Sequence, residues 1–315
     1  MLDALPKTAF AVLASSRTLK RLASRFGMRR QGSFARRFIA GETVPEAIDA
    51  ARKIEQLGLA VTLDLLGESV TSVDDAARAT RAYVEMIGDI ERAGIGRNIS
   101  LKLTQLGLDV DRATCIDNLR RILDAATPGG FFVRIDMENS PYTEATLDAL
   151  ETVWNIGCRN VGTVIQSCLK RSPGDIERLN QLGARVRLVK GAYREPREVA
   201  FQQKVDVDRA FMDLMQQLMQ HGTYPAIATH DPAMIDATRA FADGQHIAVD
   251  RFEFQMLYGI RRDLQSSLSK SGYHFRVYVP FGKEWFPYFM RRLGERPANV
   301  GFVVRSIFRD QGAPQ

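Results

Sequence analysis

The chain has 315 residues, of which 45% are hydrophobic and 25% are charged, and its formal net charge is +6. This balance is typical of a globular protein with a sizeable core and excludes a disordered or fibrous chain. No window approaches ~18 consecutive apolar residues, so we expect a protein that folds in water without a membrane span.

Residues that commonly hold metals are few and scattered. The four histidines lie far apart, and no pair of them has the His-x-x-x-His spacing. Cys115, Cys158 and Cys168 match no zinc or redox motif. We therefore expect no metal, and we interpret the cysteines as buried small hydrophobes of a protein in a reducing, cytoplasmic compartment.

The first 40 residues form a basic segment. Nine bases and one acid give residues 1–37 a net charge of +8, which leaves −2 for the rest of the chain. Apolar residues recur there at helical spacing, from Phe10 to Phe26. The segment is compatible with helices packed beside a barrel, a membrane-surface helix or a transit peptide. We favour packed helices for residues 1–40 and a catalytic domain over residues 41–315.

From Thr43 onward, short β-branched runs alternate with longer helical patterns. The strand candidates are Val61–Gly67, Ile99–Gln105, Phe132–Glu138, Gly162–Ser167, Arg185–Ala192, Pro225–Asp231, Arg251–Leu257 and Phe275–Phe281. The helical stretches include Val44–Gln56, Asp74–Glu91, Ala113–Ala126, Thr143–Trp154, Glu198–Gln220 and Pro232–Ala242. Eight strands alternating with helices over ~250 residues predict an α/β fold, a closed (β/α)8 TIM barrel. No Gly-x-Gly-x-x-Gly follows the first strand, so we expect no Rossmann-type dinucleotide site.

Polar residues concentrate toward the C-terminal ends of these strands. They include Asp64, Glu68, Lys102, Gln105, Asp136, Glu138, Gln166, Lys190, Tyr193, His230, Asp231, Glu253, Gln255 and Tyr278. Charged groups are costly to bury unless they are paired, and barrel enzymes carry their active sites at this rim. Any single residue of the set could belong to a structural ion pair, but their accumulation predicts a functional site.

A second cluster, Tyr288–Arg296, follows the last strand and has a helical pattern. Adjacent arginines on a helix point about 100° apart, so Arg291 and Arg292 could bind one anion from two sides or divide between two anions. Glu295 lies three residues after Arg292 and four after Arg291. Spacing alone also allows an ordinary solvent-exposed helix without a function, because such a helix would carry similar charges.

From about Arg37 to Arg305 the sequence resembles the proline dehydrogenase family, particularly its short monofunctional bacterial members and the corresponding domain of bifunctional proline-utilisation flavoenzymes. The resemblance rests on four motifs in order: R-L-V-K-G-A-Y at Arg187–Tyr193, A-T-H-D at Ala228–Asp231, E-F-Q-M-L-Y-G at Glu253–Gly259 and Y-x-x-R-R-x-x-E at Tyr288–Glu295. It implies noncovalently bound FAD over the barrel mouth, with the last helix above that mouth.

The resemblance also implies roles for individual residues. Asp136 and Arg187 would be catalytic, with Arg187 near flavin N5, where positive charge stabilises the reduced ring. The cofactor-binding residues would be Met137, Gln166, Arg187, Val189, Lys190, Gly191, Ala192, Thr229 and His230. The L-proline carboxylate would bind Lys102, Arg291 and Arg292, cations that Asp136 and Glu295 would hold in place. The wall around the proline ring would be Tyr193, Leu257, Tyr278 and Tyr288.

The implied reaction is the first step of proline catabolism, in which L-proline becomes Δ1-pyrroline-5-carboxylate by hydride transfer to flavin N5. Electrons would pass to a quinone, which implies peripheral contact with the inner face of the cytoplasmic membrane. Two alternatives stay open: a flavin-free barrel enzyme for a phosphorylated substrate, and a nucleic-acid-binding protein. Only the basic N-terminus suggests the latter, and no aromatic residues alternate with its bases in a recognised module, so we expect no nucleic-acid partner.

Overall fold

Eight parallel strands close into a barrel in which each strand pairs with the next along the chain and the last pairs with the first. The computed structural model describes residues 34–295, and the side chains of residues 35–292. The strands are β1 Ala60–Leu65, β2 Asn98–Leu101, β3 Phe132–Ile135, β4 Val161–Gln166, β5 Arg185–Val189, β6 Ala226–Ala228, β7 Glu253–Leu257 and β8 His274–Phe281. The predicted (β/α)8 TIM barrel is confirmed.

Nine α-helices accompany the strands within residues 34–295. They are α1 Val44–Glu55, α2 Val73–Ala93, α3 Arg112–Ala126, α4 Thr143–Asn155, α5 Ser172–Leu182, α6 Lys204–His221, α7 Pro232–Gly244, α8 Arg262–Lys270 and α9 Trp285–Glu295. Helix α1 precedes the barrel, and each later helix follows one strand. In this part of the chain, no helix has both the length and the apolar character required to cross a bilayer.

The sequence marks where several helices begin and end. The side chain of Ser72 caps α2 by accepting a hydrogen bond from the backbone N–H of Asp75, and Gly94 ends the helix in a left-handed conformation (φ 68°). Helix α1 begins with a capping box between Thr43 and Glu46. These residues fix both ends of α2 and the start of α1.

Four predicted strands extend three or four residues too far. The runs predicted at Ile99–Gln105, Phe132–Glu138, Arg185–Ala192 and Pro225–Asp231 leave the sheet after Leu101, Ile135, Val189 and Ala228. The polar ends of these runs continue as turns and loops at the mouth of the barrel. The helix predicted from Glu198 begins at Lys204, because residues 190–203 form a loop after β5.

A second apolar cluster covers the mouth of the barrel. Its buried members are Ala35, Phe38, Ile39, Leu66, Tyr278, Trp285, Phe286, Tyr288, Phe289 and Met290. The chain before α1 and helix α9 therefore pack together over the strands, which confirms the predicted position of the last helix. Gly259 permits this packing, because a Cβ there would lie 1.7 Å from the carbonyl oxygen of Arg37. The predicted helices within residues 1–33 lie outside the described residues.

Candidate active site

An ion pair lies at the centre of the mouth, inside the barrel. The guanidinium of Arg187 donates from Nη1 to Oδ1 of Asp136 (2.8 Å) and from Nη2 to Oγ of Ser100 (3.2 Å). The hydroxyl of Tyr278 donates to Oδ2 of Asp136 (2.7 Å), and its ring lies 5.2 Å from Cζ of Arg187. Burial, with the nearby carboxylates, raises the pKa of Tyr278 well above its usual value. The phenol therefore remains a donor, and the network fixes both residues predicted to be catalytic.

A second ion pair lies between β1 and β2. The Nζ of Lys102 is 3.7 Å from Oδ2 of Asp64, and both side chains are almost completely buried. Burial alone would lower the pKa of Lys102, but the charges of Asp64 and Asp136 raise it above its usual value. The sequence indicated Asp64 only as a polar residue near a strand end. The structure makes it a neighbour of the predicted carboxylate-binding lysine.

A third ion pair joins the last helix to the loop after β1. Arg291 donates from Nη1 and Nη2 to the two carboxylate oxygens of Glu68 (2.8 and 3.2 Å). Burial would raise the pKa of Glu68, but the charge and hydrogen bonds of Arg291 outweigh it and hold this pKa below its usual range. The resemblance implied that Asp136 and Glu295 would hold these cations in place. In the structure Asp136 binds Arg187 and Arg291 binds Glu68. The side chain of Glu295 lies outside the described residues, so its role stays a prediction.

A cavity of about 250 Å³ lies beneath the last helix. Its lining includes Glu68, Lys102, Gln105, Tyr288 and Arg291. Pockets for drug-sized ligands span roughly 300–1,000 Å³, so this cavity suits a small polar metabolite. Three of the predicted substrate-binding residues thus meet at one space. Arg292 is not part of the lining, and its Cζ lies 5.1 Å from the ring centroid of Tyr288.

Tyr193 lies in the loop after β5, which hydrogen bonds tie to the segment after β3. Two residues further on, Glu195 accepts hydrogen bonds from the backbone N–H (2.8 Å) and the hydroxyl (2.5 Å) of Ser140. Burial raises the pKa of Tyr193, whereas the nearby positive charges of Arg291 and Lys102 oppose that rise. Tyr193 therefore lies within electrostatic range of two cations that line the cavity.

The remaining predicted residues lie along the rim from β3 to β7. Gln166 ends β4 and donates to the carbonyl oxygen of Glu138 (2.9 Å). Gly191 has φ 106°, and a Cβ there would lie 2.4 Å from Sγ of Cys168. The ring of His230 accepts at Nε2 from the backbone N–H of Leu257 (3.0 Å). The other predicted residues at this side are Met137, Val189, Lys190, Ala192 and Thr229, each at or just after the end of a strand.

The side chain of Lys190 has a partnership of its own. Its ammonium lies 2.5 Å from Oδ1 of Asp208 on α6 and 2.7 Å from Oδ2 of Asp231, the N-cap of α7. It therefore ties the end of β5 to two helices, and it is the backbone of this residue that lies at the rim. Across residues 34–295, no group of three or more His, Cys, Asp or Glu side chains is arranged to hold a metal ion.

Comparison with known proteins gives consistent matches. The sequence model of the proline dehydrogenase family matches residues 47–305. The chain is 40% identical to proline dehydrogenase 2 of Bacillus subtilis over 298 residues, which cover 95% of this chain and 97% of that protein. It is 39% identical to the proline dehydrogenase of Deinococcus radiodurans over 313 residues, which cover 98% of this chain and 100% of that protein.

A solved structure shares the fold. Proline utilization A (PutA) from Bdellovibrio bacteriovorus, inactivated by N-propargylglycine, superposes with a TM-score of 0.78 at 25% sequence identity. The match covers 89% of this chain but 34% of the PutA chain, so the present protein spans about a third of that enzyme. Given the extent of the family match and the near-full-length relatives, the chain belongs to the proline dehydrogenase family.

Proposed function

We propose that this protein oxidises L-proline to Δ1-pyrroline-5-carboxylate with noncovalently bound FAD. Family membership implies a flavin cofactor, and the finer assignment to FAD is part of the proposal. The observation that carries the proposal is the mouth of the barrel itself. The mouth holds both a small cavity lined by Lys102, Tyr288 and Arg291 and the hydrogen-bonded group formed by Arg187, Asp136 and Tyr278.

The residues of the rim fit a flavin. The Nε of Arg187 is buried without a hydrogen-bond partner in the described part of the chain, so this cation has a donor to spare. The amide nitrogen of Gln166 is already bound to a backbone carbonyl, which leaves its oxygen to accept from a ring N–H. Gly191 is exposed and lacks a Cβ, so a large planar group can approach the backbone there.

The cofactor would be held by Met137, Gln166, Val189 and Thr229, with the rim segment from Lys190 to Ala192 and the ring of His230 beside it. When bound, a flavin supplies the acceptor for the hydride equivalent that leaves C5 of proline. Arg187 would place positive charge beside that acceptor, and Asp136 keeps Arg187 in position.

Proline is a small zwitterion, and the cavity offers groups of matching chemistry. Lys102 and Arg291 would bind its carboxylate, with Arg292 beside them on the same helix. Tyr193, Leu257, Tyr278 and Tyr288 would enclose the ring and exclude water. The amine must be neutral when C5–H leaves, because a protonated nitrogen has no lone pair to form the imine.

We further propose that a quinone receives the electrons, which gives the protein a reason for peripheral contact with a membrane. The basic segment within residues 1–37 suits such contact, because each base near an anionic surface contributes up to about 1 kcal/mol. We place the protein in the cytoplasm, with this contact at the inner face of the cytoplasmic membrane.

The decisive experiment is the visible spectrum of the purified protein. We expect a flavin spectrum that L-proline bleaches under anaerobic conditions, with Δ1-pyrroline-5-carboxylate as the product. Acid denaturation should release the flavin into the supernatant, where mass spectrometry should identify FAD. A colourless protein would contradict the proposed function and favour the flavin-free barrel enzyme, and colour retained by the precipitate would contradict noncovalent binding.

A further inference from the structure

Asp64 on β1 is completely buried at the barrel mouth and has no part in the function proposed above. Within residues 34–295, neither of its oxygens receives a hydrogen bond, and the hydroxyl of Tyr278 is directed to Asp136 instead. A buried carboxylate is costly unless charge or hydrogen bonding compensates it. Burial raises the pKa of Asp64, and the ammonium of Lys102, 3.7 Å away, makes the largest of the contributions that oppose this rise.

The dependence of the two side chains is mutual. Lys102 is also buried, and among the described acids Asp64 is the one within ion-pair distance of its ammonium. The charge of Asp136 also raises the pKa of Lys102, but Asp136 lies beyond ion-pair distance, and its oxygens are bound to Arg187 and Tyr278. The other charged or titratable groups that face this pair are Glu68, Tyr83, Glu138, Tyr193 and Arg291.

We propose that Asp64 is a positioning residue for the substrate: it keeps Lys102 protonated and fixes its ammonium beside the cavity that would receive the proline carboxylate. This inference rests on the proposed function, because it takes Lys102 as a carboxylate-binding group. A buried lysine without a counter-ion gives up its proton far more readily than one in water. Without Asp64, the site would therefore lose one of its cations as the pH rises.

The test uses cyclopentanecarboxylate, a five-membered-ring carboxylate without an amine, so that the charge of the probe is constant above neutral pH. Its inhibition constant against proline is measured from pH 6.5 to 9.5. We expect a flat profile for the wild type. In Asp64→Asn, the constant should rise ~10-fold for each pH unit above the pKa that Lys102 then has, as its protonated fraction falls.

Two further variants separate positioning from general damage. Asp64→Asn combined with Lys102→Arg should restore a flat profile, because arginine does not lose its proton in proteins. Glu253→Gln is the matched control, since it also breaks a buried ion pair but at the opposite end of the barrel. This control should be less stable, yet its pH profile should remain flat.

A flat profile in Asp64→Asn would overturn the inference, as would a steep profile that persists after Lys102→Arg. If Asp64→Asn does not fold, the double variant with Lys102→Met should fold and melt above either single variant, because removing both partners of a buried pair costs less than removing one. A double variant no more stable than the singles would also overturn it. A wild type that neither oxidises proline nor binds the probe would contradict the proposed function, and the melting comparison would still test the pairing.

Discussion

Replacing Arg291 with alanine should weaken proline binding, because it removes a cation and leaves the carboxylate of Glu68 without its partner. The variant loses one of the two adjacent arginines of the last helix and exposes Glu68, the bidentate partner of Arg291, to the incoming substrate carboxylate. Truncating one member of a buried, hydrogen-bonded charge pair costs about 2–5 kcal/mol. The two side chains are 27% and 30% exposed, so we expect the lower part of this range. A loss of about 2–3 kcal/mol corresponds to a ~30- to ~150-fold weaker affinity for proline.

The opposite sign is expected for the partner. Glu68→Gln removes the group that competes with proline for Arg291, so the KM for proline should stay the same or fall. Steady-state oxidation of proline with a soluble electron acceptor measures both variants. Arg178→Ala, which removes an ion-paired arginine from the outer helices, serves as the control and should leave KM unchanged. A rise in KM of equal size in both mouth variants would refute the reasoning, because it would mean that the pair acts only as a structural unit.

Three further outcomes are expected. Gly191→Ala should reduce the amount of flavin per protein, measured by absorbance, because Gly191 has φ 106° and a Cβ there would lie 2.4 Å from a cysteine sulfur. Gly174→Ala, which has open space around the new Cβ, should not reduce it. Glu253→Gln should lower the free energy of unfolding by about 3–5 kcal/mol at pH 7. Burial would raise the pKa of the Glu253 carboxyl, but the charge and hydrogen bonds of Arg276 outweigh burial and lower it. The wild type should therefore lose this stabilisation as the pH falls through the lowered pKa, and melting curves should show the stability difference from the variant shrinking. Deleting residues 1–33 should reduce binding to anionic vesicles at low salt and leave turnover with a soluble acceptor unchanged; vesicle binding equal to wild type would contradict it.

The strand positions could be predicted from the sequence because β-branched runs alternate regularly with helical patterns. The ends of the strands could not be predicted in this way. Apolar and polar residues alternate along Ile99–Gln105, although only the first residues of this run pair with β3. Sheet pairing is decided by the backbone hydrogen bonds of the neighbour, which a single run of residues does not reveal. The predicted start of α6 was too early for a related reason. The residues from 198 have a helical composition, but they belong to a loop in which Ala200 forms an isolated β-bridge with Leu169.

The sequence predicted a location for the candidate site and residues that would form it, but it did not predict the ion-pair partners of those residues. Glu68 and Arg291 are 223 residues apart, and their contact depends on how the last helix crosses the mouth. The sequence pattern therefore suggested Glu295 as a partner, because it lies one helical turn from Arg291. Spacing within a helix identifies neighbours along that helix, whereas a barrel brings the ends of all eight strands to one place.

The three ion pairs explain how one small mouth can hold several cations. Lys102, Arg187 and Arg291 would repel one another strongly if each were unpaired in a space of low dielectric. Each instead faces an acid from a different strand or loop, respectively Asp64, Asp136 and Glu68. On the proposed function, a substrate carboxylate would bind by sharing cations that already have partners, and the strength of each ion pair would set how much of the cation's charge remains for the substrate. The acids of the mouth would then tune proline affinity as directly as the bases that are proposed to bind it.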